Sequence, residues 1–261
     1  MNKPLFEQRR ERRRVLRAGV AWAAGGALVG CDALSHDDSA VQVMQGAEVL
    51  NRRLHGVLGQ RALAQEFPPS AIAPTFRPNG TTMPPGEGYA SLLANAFADW
   101  RLRVDGLVAQ PLSLTMGQLQ AMPSRTQITR HDCVEGWSCI GQWKGARLSH
   151  LLGLARPKPE ARFVVFHCLD RMDEDDEKSL YYESVDLDEA FHEQTILAWE
   201  LNGRPLPVEN GAPLRARIER QLGYKQPKYV HRVELVSDLR PIAGGRGGYW
   251  EDRGYSWYGG I

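Results

Sequence analysis

The chain holds only four cysteines in 261 residues, and none stands in a Cys-x-x-Cys-His run or an iron–sulfur set. A covalent haem and a cysteine-bound cluster are therefore excluded. A Cys-x-x-Cys knuckle is also missing, which counts against a structural zinc site. An excess of charge of one sign is missing too. The formal net charge is +1, with no Lys/Arg-rich tract in the body of the chain, so a nucleic-acid partner is not expected. His192-Glu193 lacks the second histidine that a zincin helix would place at Ile196. The five acids from Asp173 to Glu177 lack the glycine and ligand spacing of an EF-hand, and read as a solvated loop. What the chain does have is a hydrophobic content of 43%, ample for a sizeable core.

Long apolar runs are likewise scarce. Ala18 to Val29 is too short to cross a bilayer as a mature helix, and it follows Arg9-Arg10 and Arg12-Arg13-Arg14, the order of a signal peptide. Arg12-Arg-Arg-Val-Leu-Arg17 resembles a twin-arginine signal, although Glu11 replaces the usual Ser or Thr. Leu28-Val-Gly-Cys31 resembles a lipobox, in which Cys31 would carry a lipid. The expected organisation is a leader over residues 1–31, a polar tether over 32–65, and one domain over 66–261. Such signals address folded cargo, so export to the periplasm is expected.

Removing Cys31 leaves Cys133, Cys139 and Cys168, an odd number in an oxidising compartment, so at least one is free or metal-bound. A disulfide between Cys139 and Cys168 is allowed but not required. Period-two alternation predicts strands at Trp100–Val104, Thr126–Arg130 and Val230–Val236, and the mostly apolar Arg162–Leu169 and the stretch Tyr181–Val185 also read as strands. Ile196 to Leu201 runs into Asn202-Gly203, a hairpin signal. Short helices are expected after Ser113 or Thr115, after Arg147 and after Asp186. With no βαβ rhythm, the class is α+β with a mixed, mostly antiparallel sheet.

The chain is organised around Ile128–Leu152. The expected strand delivers His131-Asp-Cys133 to a compact loop punctuated by Gly136, Gly141 and Gly145, between Trp137 and Trp143. Residue types alone allow two roles for Cys133, a buried small hydrophobe or a soft ligand for a soft metal. A second stretch combines Glu209-Asn-Gly-Ala-Pro-Leu-Arg215 with Gly223-Tyr-Lys-Gln-Pro-Lys228. Arg215 is a planar fork suited to phosphate, and Lys225 and Lys228 add compact positive charge.

Cys133-Val-Glu-Gly-Trp-Ser138, followed by Gly-x-Trp-x-Gly, resembles the cysteine segment of the sulfite-oxidase-type molybdopterin oxidoreductases, most closely the methionine sulfoxide reductase branch. The second stretch resembles that family's pterin-phosphate segment. The resemblance implies the sulfite-oxidase-type molybdopterin-binding fold and a molybdenum–molybdopterin cofactor with Cys133 as the metal's protein ligand. It also implies cofactor contacts from Asn210, Arg215, Lys225, Gln226 and Lys228. Gln226 stands where relatives carry a small hydroxyl residue, and Cys168 where that branch has a cofactor-contacting threonine. Asn79, in the proline-rich arm from Glu66 to Gly88, takes the place of an arm asparagine, without the branch's Asn-x-x-Tyr-Glu pattern. Glu135 and His131 flank Cys133 and are expected to orient water, substrate or a transferred proton.

The resemblance implies oxygen-atom transfer, with electrons exchanged through a membrane cytochrome b-type subunit or a cytochrome c. A charged Glu135 would repel sulfite and favour a neutral S-oxide, free or within a protein. The alternatives are a sulfite-type oxidase on the same fold, a zinc-stabilised module built on His131, Cys133, Cys139 and Cys168 or His167, and a cofactor-free binding lipoprotein. The aromatic, glycine-rich tail from Gly244 to Ile261 is expected to fold back over the domain.

Overall fold

Among the described residues, the alternating stretches become ten strands in two five-stranded sheets. The computed structural model describes residues 62–261, except 174–175 and 177–178, and before them only residues 46 and 50. The leader, Cys31 and most of the tether lie outside the described residues, as does most of the acidic run. The first sheet is ordered β2 (Leu112–Leu114), β1 (Leu102–Gly106), β10 (Val230–Val236), β5 (Phe163–Arg171) and β6 (Leu180–Asp186). In it only the β1–β10 pair is parallel. The second runs β3 (Ser124–Cys133), β4 (Trp137–Arg147), β7 (Ile196–Leu201) and β8 (Arg204–Pro205), with β9 (Arg215–Arg217) also paired to β7. Among residues 62–261 the described short α-helices are α1 (Glu87–Ala94), α2 (Met116–Gln120), α3 (Leu148–Ala155) and α4 (Leu187–Ala190). This is the expected α+β class, mixed and mostly antiparallel.

Local chemistry explains the element ends. Thr115 caps α2 through a reciprocal capping box with Gln118, which satisfies two otherwise unpaired N–H groups. Asp186 caps α4 by accepting from the Glu189 N–H. Asn202 and Gly203, at φ 52° and 73°, make the tight β7–β8 turn that their sequence announces.

Strand β7 is covered on both faces. Leu197 and Trp199 enter the main core with Leu102, Val164, Phe166 and Val233 of the first sheet and Leu148, Leu151 and Leu152 of α3. Ile196, Ala198 and Leu201 enter a smaller cluster with Phe76, Trp143 and Leu206. A strand buried on both sides reads as a near-continuous apolar run, and Ile-Leu-Ala-Trp does.

The compact glycine loop expected after Cys133 is not formed. Residues 137–147 are strand β4, zipped to β3 from Cys133↔Trp137 to Ser124↔Ala146, and only Val134, Glu135 and Gly136 turn the chain. Gly136, at φ +85°, makes that turn. Gly145 serves a different purpose: a Cβ there would lie 2.1 Å from the Leu197 carbonyl oxygen, beside a register shift between β4 and β7. The glycine is needed for close strand packing, not for a loop.

Both ends of the described segment are tied down. The Ala64 N–H donates to Gln194, and Glu66 bridges Thr129, so the chain meets the domain just before residue 66. The tail does fold back. Gly248 and Gly260 bridge Glu183 and Gln221, and the Tyr249 N–H donates to the Tyr182 carbonyl. No helix among the described residues is long and apolar enough to cross a membrane.

Candidate active site

Strand β3 buries alternate residues, Gln127, Thr129 and His131, and ends at Cys133. That buried face is polar because it meets charge. Gln127 donates to Glu219 at 2.7 Å, Glu219 pairs with Arg217 at 2.6 Å, and Arg217 donates to His131 Nδ1 at 2.9 Å. A guanidinium can only donate, so Nδ1 is an acceptor and the neutral ring carries its proton on Nε2. Burial and the neighbouring Arg217 and Arg215 hold the His131 pKa well below the usual range. His131 is fully sealed at 0% exposure, and its Nε2 meets Gly223, where a Cβ would come within 2.6 Å. It supports the cysteine strand from beneath the cavity surface.

Cys133 itself reaches that surface. It lines a cavity of about 230 Å³ together with Val134 and Glu135 of the β3–β4 turn. Asn79–Thr81 of the arm, Asp170 and Met172 at the end of β5, Tyr181 of β6 and the segment around Gly223–Lys228 complete most of the wall. Trp250 and Tyr255 of the tail close it. Burial pushes the Cys133 thiol above its ordinary pKa and Glu135 adds to the rise, while a backbone hydrogen bond with Glu135, Arg77 and Arg215 pull the other way. Glu135 is exposed and accepts from Trp137 Nε1 at 2.9 Å.

The remaining expected residues divide into groups. Asn79, Gln226 and Lys228 line the cavity with Cys133 and Glu135. Lys228 Nζ donates to the carbonyls of Asn79 at 2.5 Å, Glu209 at 3.1 Å and Thr81, which ties the arm to the second stretch. Asn210 lines a separate, more open cavity of about 450 Å³, with Phe76 and Leu201. Arg215 is wholly buried and lines neither cavity, but donates to the carbonyls of one residue from each, Asn210 at 3.0 Å and Gln226 at 3.2 Å. Its guanidinium sits 5.0 Å from the Trp143 ring centre. Burial, then Arg217, lowers its pKa to about 9.

Cys168 and Lys225, like His131 and Arg215, line neither cavity. Cys168 sits in the main core, its thiol pushed well up by burial and by Asp170 and Glu183. Lys225 is sealed in an ion cluster with Glu183 and, at 2.6 Å, Glu251. Cys133, Cys139 and Cys168 are all free thiols. Among the described residues no group of three or more His, Cys, Asp or Glu side chains could hold a metal, so the zinc alternative has no ligand set.

No motif in the sequence singles out Asp170, which stands three residues before the acidic run that begins at Asp173. It is buried, faces the cavity, and has one oxygen, Oδ1, without a partner. Burial raises its pKa, with Lys228 opposing. Alternation along β5 offered a signal, since Val164, Phe166, Cys168 and Asp170 are all buried.

Several unpartnered buried polar atoms lie on or near this cavity. Asn79 Oδ1 and Asp170 Oδ1 on the wall lack hydrogen-bond partners, as do Asn210 Nδ2 and Arg215 Nε near it, while the Gln226 side chain engages the His131 ring. Buried polar groups are almost always satisfied, so such a cluster marks the seat of a polar ligand. The polar atoms of the wall fit a pterin ring, Lys228 with the buried Arg215 behind it fits a phosphate, whose charge would offset the burial that lowers the Lys228 pKa to about 7, and the thiol fits a soft metal.

Residues 90–241 match the family of the oxidoreductase molybdopterin binding domain, more than half of the chain. The chain belongs to that family. A relative from Azospira oryzae, provisionally named protein-methionine-sulfoxide reductase subunit YedZ1, is 34% identical over 253 residues, 95% of this chain and 87% of its own length. The protein-methionine-sulfoxide reductase catalytic subunit MsrP of Campylobacter jejuni is 32% identical over 148 residues, 54% of this chain and 50% of that protein. The sulfane dehydrogenase SoxCD of Paracoccus pantotrophus overlays with a TM-score of 0.47 at 24% identity, covering 57% of this chain and 44% of that one. The fold is of the sulfite-oxidase type, and the protein is a molybdenum-dependent oxidoreductase. The family segment includes Cys133, Asp170, Arg215 and Lys228, but not Asn79 or the tail residues Trp250 and Tyr255.

Proposed function

We propose that the protein is an exported reductase of neutral S-oxides, with methionine sulfoxide, free or within proteins, as the substrate class. The observation that carries this reading is Cys133 on the wall of a cavity whose buried polar atoms lack partners. Cys133 Sγ is assigned as the protein ligand to molybdenum. Lys228 holds the cofactor's phosphate side with Arg215 behind it, Asn79 and Gln226 meet its polar edges, and Asn210 acts through Arg215, which donates to its carbonyl. When bound, the cofactor supplies two-electron oxygen-atom transfer. Reduction of an S-oxide consumes two electrons and two protons and releases the sulfide and one water.

The chain's own residues supply the setting. The paired β3–β4 ladder holds Cys133 rigidly, and Arg217 fixes His131 beneath it. Glu135 and Asp170 place two carboxyl groups on the cavity wall, where protons are to be delivered. Glu135 also disfavours an anionic substrate such as sulfite. The names of the two reductase relatives support the same direction.

Electrons are assigned to a membrane cytochrome b-type subunit or a cytochrome c, because the sequence has no haem-attachment or cluster motif. The twin-arginine pattern at Arg12–Arg17 supports export to the periplasm, and Cys31 supports a lipid anchor at the membrane; cell fractionation checks both. The activity is tested by steady-state kinetics, comparing methionine sulfoxide with reduced viologen against sulfite with ferricyanide. Efficient S-oxide reduction is expected, with no turnover on NADPH alone. Sulfite oxidation without S-oxide reduction would overturn the substrate and leave the cofactor assignment standing.

Arg215→Ala removes the buried fork between the two cavities. Molybdenum retention is expected to weaken by about 10- to 100-fold, the range for loss of a group supporting a metal site. Metal content per folded chain measures it. Full occupancy in that variant would place the phosphate elsewhere.

A further inference from the structure

The tail lies beyond the family segment, yet it supplies part of the cavity wall. Trp250 and Tyr255 both face the cavity that Cys133 lines. Their rings stack, with centroids 5.3 Å apart and planes 29° apart, and Tyr255 also meets Tyr224 edge-on at 5.3 Å. Neither ring belongs to the cysteine segment or the phosphate segment. The tail that carries them is anchored on both sides of Trp250. Glu251 pairs with buried Lys225, and Asp252 accepts from the backbone N–H groups of Gly244 and Arg246, both at 3.0 Å, and from Tyr182 Oη at 2.5 Å. The Tyr224 hydroxyl donates to the Ser256 carbonyl at 2.8 Å.

We propose that Trp250 and Tyr255 are the specificity-determining wall of the substrate cavity, selecting S-oxides that carry an apolar arm over small ones. This rests on the S-oxide reading above. A flat aromatic face gains from apolar and sulfur-containing groups, and gains little from a substrate with only methyl groups. Because the tail is already held in place, ordering it takes little from the binding energy. Val134 and Met172, on the same wall, extend the apolar surface. A thioether-derived side chain such as that of methionine sulfoxide fits this lining, with its oxygen directed to the polar groups around Cys133.

The test uses holoenzyme of the full chain, the variants Trp250→Ala, Tyr255→Ala and Trp250→Phe, and molybdenum content as a control. Trp250→Ala is expected to lose about 10- to 100-fold in kcat/KM for methionine sulfoxide, mainly through KM, and under about threefold for dimethyl sulfoxide, since lost apolar contact is worth that much discrimination. Trp250→Phe should restore most of the difference. Equal losses on both substrates, or none, would overturn the proposal. Calorimetric titration with methionine sulfone and dimethyl sulfone, which mimic the substrates without being reduced, reads the wall independently of turnover. Tyr255→Ala carries the test if Trp250→Ala fails to fold. Wild-type enzyme that reduces neither S-oxide would remove the functional reading. Variants that bind methionine sulfone as tightly as wild type would remove the wall, whatever the turnover.

Discussion

Cys133→Ser is expected to leave less than about 1% of wild-type turnover, because even outer partners of a metal ligand cost 10- to 100-fold and the ligand itself should cost more. A serine oxygen is a poor substitute for a soft thiolate. The fold should survive, since Cys133 is half-buried at a strand end and its β3–β4 ladder is made by backbone. The cofactor should be partly retained through Arg215 and Lys228, so turnover per bound molybdenum is the quantity to measure. Cys139→Ser is the control. Its sulfur reaches only the Thr75 carbonyl at 3.7 Å and lies outside the cavity lining, so activity should persist. A fully active Cys133→Ser enzyme would remove the ligand assignment.

Lys225→Met should destabilise the protein by about 3–5 kcal/mol, the cost of leaving a buried charge partner uncompensated. For a domain of this size that corresponds to roughly 6–20 °C in Tm. The Lys225 ammonium pairs with the sealed carboxyl groups of both Glu183 and Glu251. Burial alone would lower its pKa, but the two glutamates outweigh burial and raise it. Glu183 is pushed well above the usual carboxylate range by burial, with Lys225 opposing. Removing Lys225 deletes that opposition, so the folded variant holds a proton on Glu183 over a wider pH range than the unfolded chain does. Stability then falls as pH rises from the unfolded carboxylate value, about 4.3, towards the raised folded value. The deficit should therefore be greatest at alkaline pH and shrink towards pH 5. Thermal melts of the cofactor-free protein across pH decide it. A variant with unchanged Tm but depleted molybdenum would make Lys225 a cofactor ligand instead of the anchor of the tail.

Much of this was legible in sequence because it is local. Period-two alternation from Thr126 onward gave β3, Asn202-Gly203 gave its hairpin, and the start of α2 was narrowed to Ser113 or Thr115, of which Thr115 is the cap. The cysteine and phosphate motifs pointed to the family, since both depend on residue types at short spacing. The stretch from Trp137 to Gly145 misled for a related reason. Glycine is punctuation in a short window, and nothing within that window shows a neighbouring strand so close that only glycine fits.

Sequence alone thus determined the class and most of the principal strands, β4 excepted, and singled out Cys133 among the thiols. Tertiary structure decided which charges serve the cavity and which serve the fold. Lys225 and Lys228 stand three residues apart in one motif, yet one is sealed against Glu183 and Glu251 while the other lines the cavity. Asp170 became part of the wall because the end of β5 meets residues 223–228 and the arm there, and the tail became part of it through pairing with Glu183 and Gln221. Turn chemistry and side-chain periodicity act over a few residues. Burial and charge pairing are set by partners 26 and 42 positions away in the case of Lys225, and only the folded chain brings them within reach.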